Sequence, residues 1–78
     1  MIEKISKEEI RKNVLESMRV ELIEKQIRNE LLLEISRNIC KNEPQNMEIV
    51  KSVRNLENNA VMLESDINLI EKKLEQYN

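Results

Sequence analysis

The sequence lacks most of the residue types on which enzyme and metal chemistry depends. It has no glycine, histidine, phenylalanine or tryptophan, and it has one proline, one cysteine and one tyrosine among 78 residues. Without histidine no Ser-His-Asp or Cys-His catalytic set can form, and without glycine there is no Gly-rich phosphate-binding loop. A single cysteine excludes an internal disulfide and leaves too few ligands for zinc. We therefore predict a protein that is not an enzyme and that has no cofactor, no metal and no small-molecule substrate.

Charge and hydropathy make nucleic acid and membranes poor partners. The net charge is −2, and the basic residues of the first half are interleaved with acidic ones and have no aromatic neighbours that could stack on bases. The longest apolar run, Leu31–Leu33, is far too short to cross a bilayer. Residues 1–20 contain four glutamates and no apolar core, unlike a secretory signal. We expect a cytoplasmic protein that binds neither nucleic acid nor membranes.

The chain is rich in Glu, Lys, Leu, Ile and Arg, a composition typical of long helices and coiled coils. Residues 6–9, Ser-Lys-Glu-Glu, fit a capping box at the start of a helix. Ile5 and Ile10 stand where a hydrophobic staple would flank that start. These signals predict that a helix begins near Lys7.

One break divides the predicted helical chain. Pro44 disfavours helical geometry at Glu43. Asn42 can adopt the left-handed cap that glycine usually supplies, and Asn46 can cap the next helix. The prediction is a single domain over 1–78 with a helix over 7–41, a turn over 42–46 and a helix over 47–77. So short a connection returns the chain antiparallel, which predicts an all-α, coiled-coil-like two-helix hairpin; the alternative is one bent rod kinked at Pro44.

The second helix has an unbroken heptad pattern. Its apolar residues recur in alternating steps of four and three, the period that keeps an apolar stripe turned toward a partner helix. The interaction seam, as we name this stripe, consists of Ile49, Val53, Leu56, Ala60, Leu63, Ile67, Ile70, Leu74 and Tyr77. Two interpretations are open: the seam closes the hairpin within the chain, or it pairs with another chain.

The first helix has a broader apolar pattern without a heptad. Its apolar residues recur mostly every four positions, so the stripe moves around the helix. In antiparallel pairing, Leu32 would approach Leu56 and Ile35 would approach Val53. Because so broad an apolar surface normally has neighbours on more than one side, we predict that oligomerisation or a partner completes a four-helix or larger bundle. The candidate partner surface consists of Leu15, Leu22, Leu33, Met62 and Leu69.

Acidic residues flank the interaction seam. The acidic flank consists of Glu57, Glu64, Asp66 and Glu71, and no Lys or Arg lies between Asn55 and Glu71. In a parallel homodimer, Asp66 would face Glu71 of the second copy, and like charges oppose that pairing. The complementary surface is either the first helix, running antiparallel, or a basic groove on another protein.

Cys40 has three interpretations: a reactive thiol, an intermolecular disulfide, or a small apolar residue near the turn. No histidine is present, and Lys41 is the only adjacent cation. We therefore favour the small apolar residue.

Together these patterns predict a protein–protein interaction module. It would be a small coiled-coil assembly or adaptor subunit that acts through self-association, as a homo-oligomer, or through helix pairing with a partner protein. The alternative is a small inhibitor or secretion-type chaperone that occludes a target protein with an acidic, apolar helix face. In that alternative, charge reversal at Glu57, Glu64 and Asp66 should slow capture of the target, mainly through the association rate.

Overall fold

The computed structural model describes residues 6–77, which form two helices packed against each other. The first helix, α1, spans Lys7–Asn42, and the second, α2, spans Met47–Glu75. They run antiparallel, since Arg19 in the first half of α1 pairs with Glu71 near the end of α2. The prediction of an all-α helical hairpin is confirmed, and the bent-rod alternative is wrong.

α1 begins at a side-chain cap. The Ser6 hydroxyl oxygen accepts a hydrogen bond of 3.1 Å from the Glu9 amide, and the Ser6 backbone is extended. Glu8 and Glu9 lie in the first turn, where the helix dipole favours negative charge. The predicted staple partner of Ile10, Ile5, lies outside the described residues.

The turn between the helices follows from Pro44. Helical geometry is disfavoured before proline, and Glu43 leaves the helix with φ −132° and ψ 65°. Its amide still donates to the Ile39 carbonyl at 2.8 Å. Asn42 remains helical and no described residue has a positive φ, so the expected left-handed cap at Asn42 is wrong. The Asn46 amide closes the turn by donating to the Glu43 carbonyl at 3.0 Å.

Both ends of α2 are stabilised locally. Asn46 Oδ1 accepts hydrogen bonds of 3.1 and 3.4 Å from the amides of Glu48 and Ile49, the capping role that the sequence predicts. At the other end, the Tyr77 amide donates to a carbonyl three residues back at 3.0 Å. This tightened last turn ends α2 at residue 75, before the predicted residue 77.

α2 turns the interaction seam toward α1. All nine seam residues are buried or half-buried, and Ile67 and Ile70 are the most buried of them. Because α1 is the only other helix of the described chain, the seam closes the hairpin. Pairing of the seam with another chain stays a prediction.

α1 faces α2 with a heptad that is largely polar. Its less exposed residues recur in alternating steps of three and four. Ile23 and Ile39 are also half-buried and lie beside this row of residues. The α1 stripe, as we name this row, consists of Lys12, Leu15, Arg19, Leu22, Gln26, Asn29, Leu33, Ser36 and Cys40. The expectation that α1 has no heptad is therefore wrong. The pattern is invisible in apolar residues alone because five of these nine residues are polar.

With the α1 stripe facing α2, most of the large apolar side chains of α1 are exposed. Leu32 and Ile35, which were expected opposite the seam, are 47% and 57% exposed. Val20 and Ile27 are exposed to a similar degree. Long Lys, Arg and Gln side chains take the inward positions because their stems can cover apolar surface while their heads reach water. Ile35 is thus too exposed to be packed against Val53 as expected, whereas Leu32 borders the same depression as Leu56, its expected neighbour, and the helices pair antiparallel as expected.

Few side chains are buried in this arrangement. The buried apolar residues of the described chain are Leu33, Ile67 and Ile70. The accessible surface is 6843 Å². A compact monomer of this length would expose about 5,000 Å². Two helices in one layer thus leave a large excess of accessible surface.

Replacing Ile67 with Asp should unfold the hairpin. The change places an unpaired charge at a position that is 7% exposed. We expect a loss of about 3 kcal/mol or more in the free energy of unfolding, measured by circular dichroism during urea and thermal unfolding. Asn58→Asp, at an exposed position of α2, adds the same charge without burial and should unfold like the wild type. An Ile67→Asp variant as stable as the wild type would show that the seam is assigned to the wrong residues.

Candidate protein-interaction surface

The hairpin has two broad sides of different character. On one side, two shallow depressions of about 370 and 380 Å³ adjoin each other. Lys25 of α1 and Asp66 of α2 border both depressions, and we name these two residues the charged row. The apolar face, as we name this side, consists of Met18, Leu22, Lys25, Leu32, Met62, Asp66 and Leu69, and the charged residues Glu21 and Arg28 border one depression each.

Large apolar side chains surround the charged row. Met18 and Leu69 border one depression, and Leu32 and Met62 border the other. These four side chains are 43% to 64% exposed. A contiguous group of exposed apolar side chains is typical of a surface that contacts another protein.

The opposite side is polar and carries the ion pairs between the helices. Arg19 Nη2 lies 3.4 Å from Glu71 Oε2, and Arg37 Nη2 lies 3.2 Å from Glu57 Oε2. All four side chains are about half exposed. Each pair therefore contributes little to stability, and this side of the hairpin is suited to remain in water.

Exposed apolar side chains also lie on α1 outside the apolar face. They are Ile10, Val14, Val20, Ile27, Leu31 and Ile35, each about half exposed. Ile10 and Val14 border a depression beside Tyr77, and Val20 borders one beside Glu71 on the polar side. Exposed polar residues such as Ser17 and Glu24 separate these side chains, which therefore form a less continuous surface than the apolar face.

Asn29 is the buried polar residue of the described chain, at 7% exposure. Its Nδ2 donates a hydrogen bond of 2.9 Å to the backbone carbonyl of Leu56 on α2. A buried amide keeps its partner in one register and one rotation, and a slip of the helix would leave it unpaired at a cost of about 1–3 kcal/mol. The Asn29 hydrogen bond therefore holds α1 in the rotation in which most of the large apolar residues of α1 are exposed.

The structure divides the candidate partner surface into three parts. Leu22, Met62 and Leu69 lie on the apolar face. Leu15 is half-buried and borders a depression of about 220 Å³ at the open end of the hairpin. Leu33 is buried in the α1 stripe, so no partner can reach it while the hairpin is closed. The role of these residues in binding stays a prediction.

Sequence reasoning misses Met18, Lys25 and Leu32, which form the α1 edge of the apolar face. They recur every seven residues. This seven-residue spacing places them at one heptad position, and it would have indicated a shared face if the heptad of α1 had been assigned to its polar residues as well as its apolar ones.

The acidic flank does not form one surface. Glu57 and Glu71 lie on the polar side in ion pairs with α1. Asp66 belongs to the apolar face, and Glu64 is exposed. α1 thus supplies part of the basic complement to the flank, as the first of the two alternatives anticipates.

The described residues 6–77 contain neither a cluster of metal ligands nor a helix that could span a membrane. Among residues 6–77, no three acidic or cysteine side chains lie together as a metal ion would require. Neither helix in this range has an apolar stretch of the length needed to span a bilayer. Cys40 is half-buried in the α1 stripe beside the turn.

Comparisons of this chain with protein-family models, with curated proteins and with solved structures found no match. We therefore infer the function from the geometry of the hairpin.

Replacing Asn29 with Leu should stabilise the chain and loosen its specificity. The substitution removes a buried amide and adds apolar surface, and Leu56 keeps its helical hydrogen bond. We expect a higher melting temperature by circular dichroism, with broader or multiple sedimenting species because the register is no longer fixed. Asn58→Leu, at an exposed position, should change neither property. A lower melting temperature for Asn29→Leu would show that this amide serves stability rather than register.

Proposed function

We propose that this protein is a non-enzymatic interaction module, a small assembly or adaptor subunit that packs its helices against another protein chain. One observation carries the proposal. α1 turns a largely polar stripe toward α2 and most of its large apolar side chains toward solvent. Because each Å² of buried apolar surface contributes about 25 cal/mol, a second layer of protein would stabilise the hairpin substantially.

The balance of burial supports the same proposal. Twelve large apolar residues of the described chain are exposed, and three are buried. Ordering each residue costs about 1.5 kcal/mol, so long helices need more buried area than one mutual contact supplies. Small domains commonly obtain that area through association. In this proposal, association is both the activity of the protein and a condition of its stability.

The alternative, an inhibitor or secretion-type chaperone acting through the acidic flank, has less support. Two acids of the flank already pair with arginines of α1. The depressions of the apolar face are bordered by two basic residues, Lys25 and Arg28, and by two acidic residues, Glu21 and Asp66. A face of balanced charge favours a partner that is also balanced, rather than a basic groove.

Photo-crosslinking at defined positions tests the proposed function. With p-benzoylphenylalanine in place of Leu69, on the apolar face, we expect a covalent adduct to another protein chain in cells of the native host. The physical reason is that this 60% exposed side chain would be covered in the assembly. The same group in place of Lys51, at an exposed position of α2 outside the apolar face, should give no defined adduct.

Either of two results would contradict the proposed function. The first is the absence of an adduct at position 69, and the second is equal crosslinking at positions 69 and 51. Any covalent protein adduct specific to position 69 supports it, whether its mass corresponds to a second copy or to a different protein.

A further inference from the structure

We infer that the apolar face binds a second copy of this chain, in a dimer whose two-fold axis runs parallel to the helices. The inference rests on the proposed function, in which this face meets another protein, and it identifies that protein. The product is a four-helix bundle of two layers with the two apolar faces between them.

The broad side that carries the apolar face has the size of a dimer interface. α2 is about 43 Å long, and the hairpin is 21 Å wide and 15 Å thick, so this side offers roughly 900 Å². The apolar face, about 21 Å long between Met18 and Leu32, covers about half of it. A standard interface, with approximately 800 Å² from each partner, would therefore bury the apolar face at its centre and the flanking surface around it.

The charged row identifies the partner more specifically. Lys25 and Asp66 lie at the same level of the hairpin, because each borders both depressions. Neither residue takes part in the ion pairs found among residues 6–77. At the level shared by both depressions, the face thus presents a positive charge at its α1 edge and a negative charge at its α2 edge; Glu21 and Arg28 lie on the α1 edge to either side of this level. A complementary face must carry the same two charges with their sides exchanged.

A two-fold axis parallel to the helices produces that complement from the chain itself. The rotation lays α1 of one copy on α2 of the other while keeping every level in place. Lys25 of each copy then faces Asp66 of the other, and each exposed methionine of the face meets a leucine. All neighbouring helices run antiparallel, as in an up-down-up-down four-helix bundle.

An axis that crosses the helices is disfavoured by the same charges. It would lay α1 on α1 and α2 on α2, so that Lys25 meets Lys25 and Asp66 meets Asp66. Glu21 and Arg28 would then meet as opposite charges, but each borders only one depression, whereas the like charges would stand at the centre of the face. Like charges enclosed by apolar side chains repel more strongly than they do in water. The axis parallel to the helices creates no like-charged contact within the charged row, so the charged row favours it.

Charge reversal within the charged row tests this dimer by sedimentation equilibrium. The wild-type chain should be a dimer at micromolar concentration. Lys25→Glu and Asp66→Lys each create two like-charged contacts, and each should raise the dimer dissociation constant about tenfold or more. An equimolar mixture of the two variants should recover the wild-type constant, because both contacts in the mixed dimer join opposite charges. Lys51→Glu, a charge reversal outside the apolar face, should dimerise like the wild type.

Circular dichroism of the same samples separates association from folding. If a single variant loses helix when it loses the dimer, the mixture should restore both together. The double variant Lys25→Glu/Asp66→Lys should likewise dimerise, since it exchanges the charges without changing their pairing.

Two results would overturn the inference. A wild-type chain that sediments as anything other than a dimer excludes this bundle, and single variants that dimerise like the wild type exclude its axis. The first result does not decide the proposed function. That function is decided by the crosslinking, and it fails if position 69 gives no protein adduct or crosslinks no more than position 51.

Discussion

The hydrogen bond from Asn29 to the Leu56 carbonyl fixes how α1 is rotated against α2, and every other feature of the surface follows from that rotation. A buried amide that loses its partner is costly, so α1 has one preferred side to present. That side includes Lys12 and Arg19, whose aliphatic stems can lie beside the seam while their charges reach water. Most of the large apolar residues of α1 are consequently exposed to solvent.

In the function that we propose, the hairpin is one layer of a two-layer structure. On its polar side, the ion pairs Arg19–Glu71 and Arg37–Glu57 join the two helices, and this side can remain exposed to solvent. Its apolar side has methionines and leucines around one charged row, a composition that gains from burial and still discriminates between orientations. The ion pairs contribute little energy, and their larger effect is to mark which side stays in solvent. In this arrangement, burial of the apolar face would supply the affinity for the second layer, and the charged row would determine the relative orientation of the two layers.

α2 and the turn could be predicted from sequence because each local signal there agrees with the tertiary structure. The seam of α2 is apolar at all nine positions, Pro44 ends α1 through its effect on Glu43, and Asn46 caps α2. The rotation of α1 could not be predicted, because the rule that apolar residues face the neighbouring helix selects the wrong side when five of nine inward positions are polar. Met62 and Leu69 on α2 were therefore found from the pattern, and their α1 counterparts Met18 and Leu32 were not.

The rotation of α1 is the central claim, and nuclear Overhauser spectroscopy of the chain with labelled Asn, Ile and Leu side chains tests it most directly. The account predicts cross-peaks from the Asn29 carboxamide protons to α2 residues around Leu56, and none from the Ile27 and Leu31 methyl groups to the seam of their own chain. Cross-peaks from those two methyl groups to Leu56 or Leu63 of the same chain, with Asn29 exchanging freely with water, would contradict it.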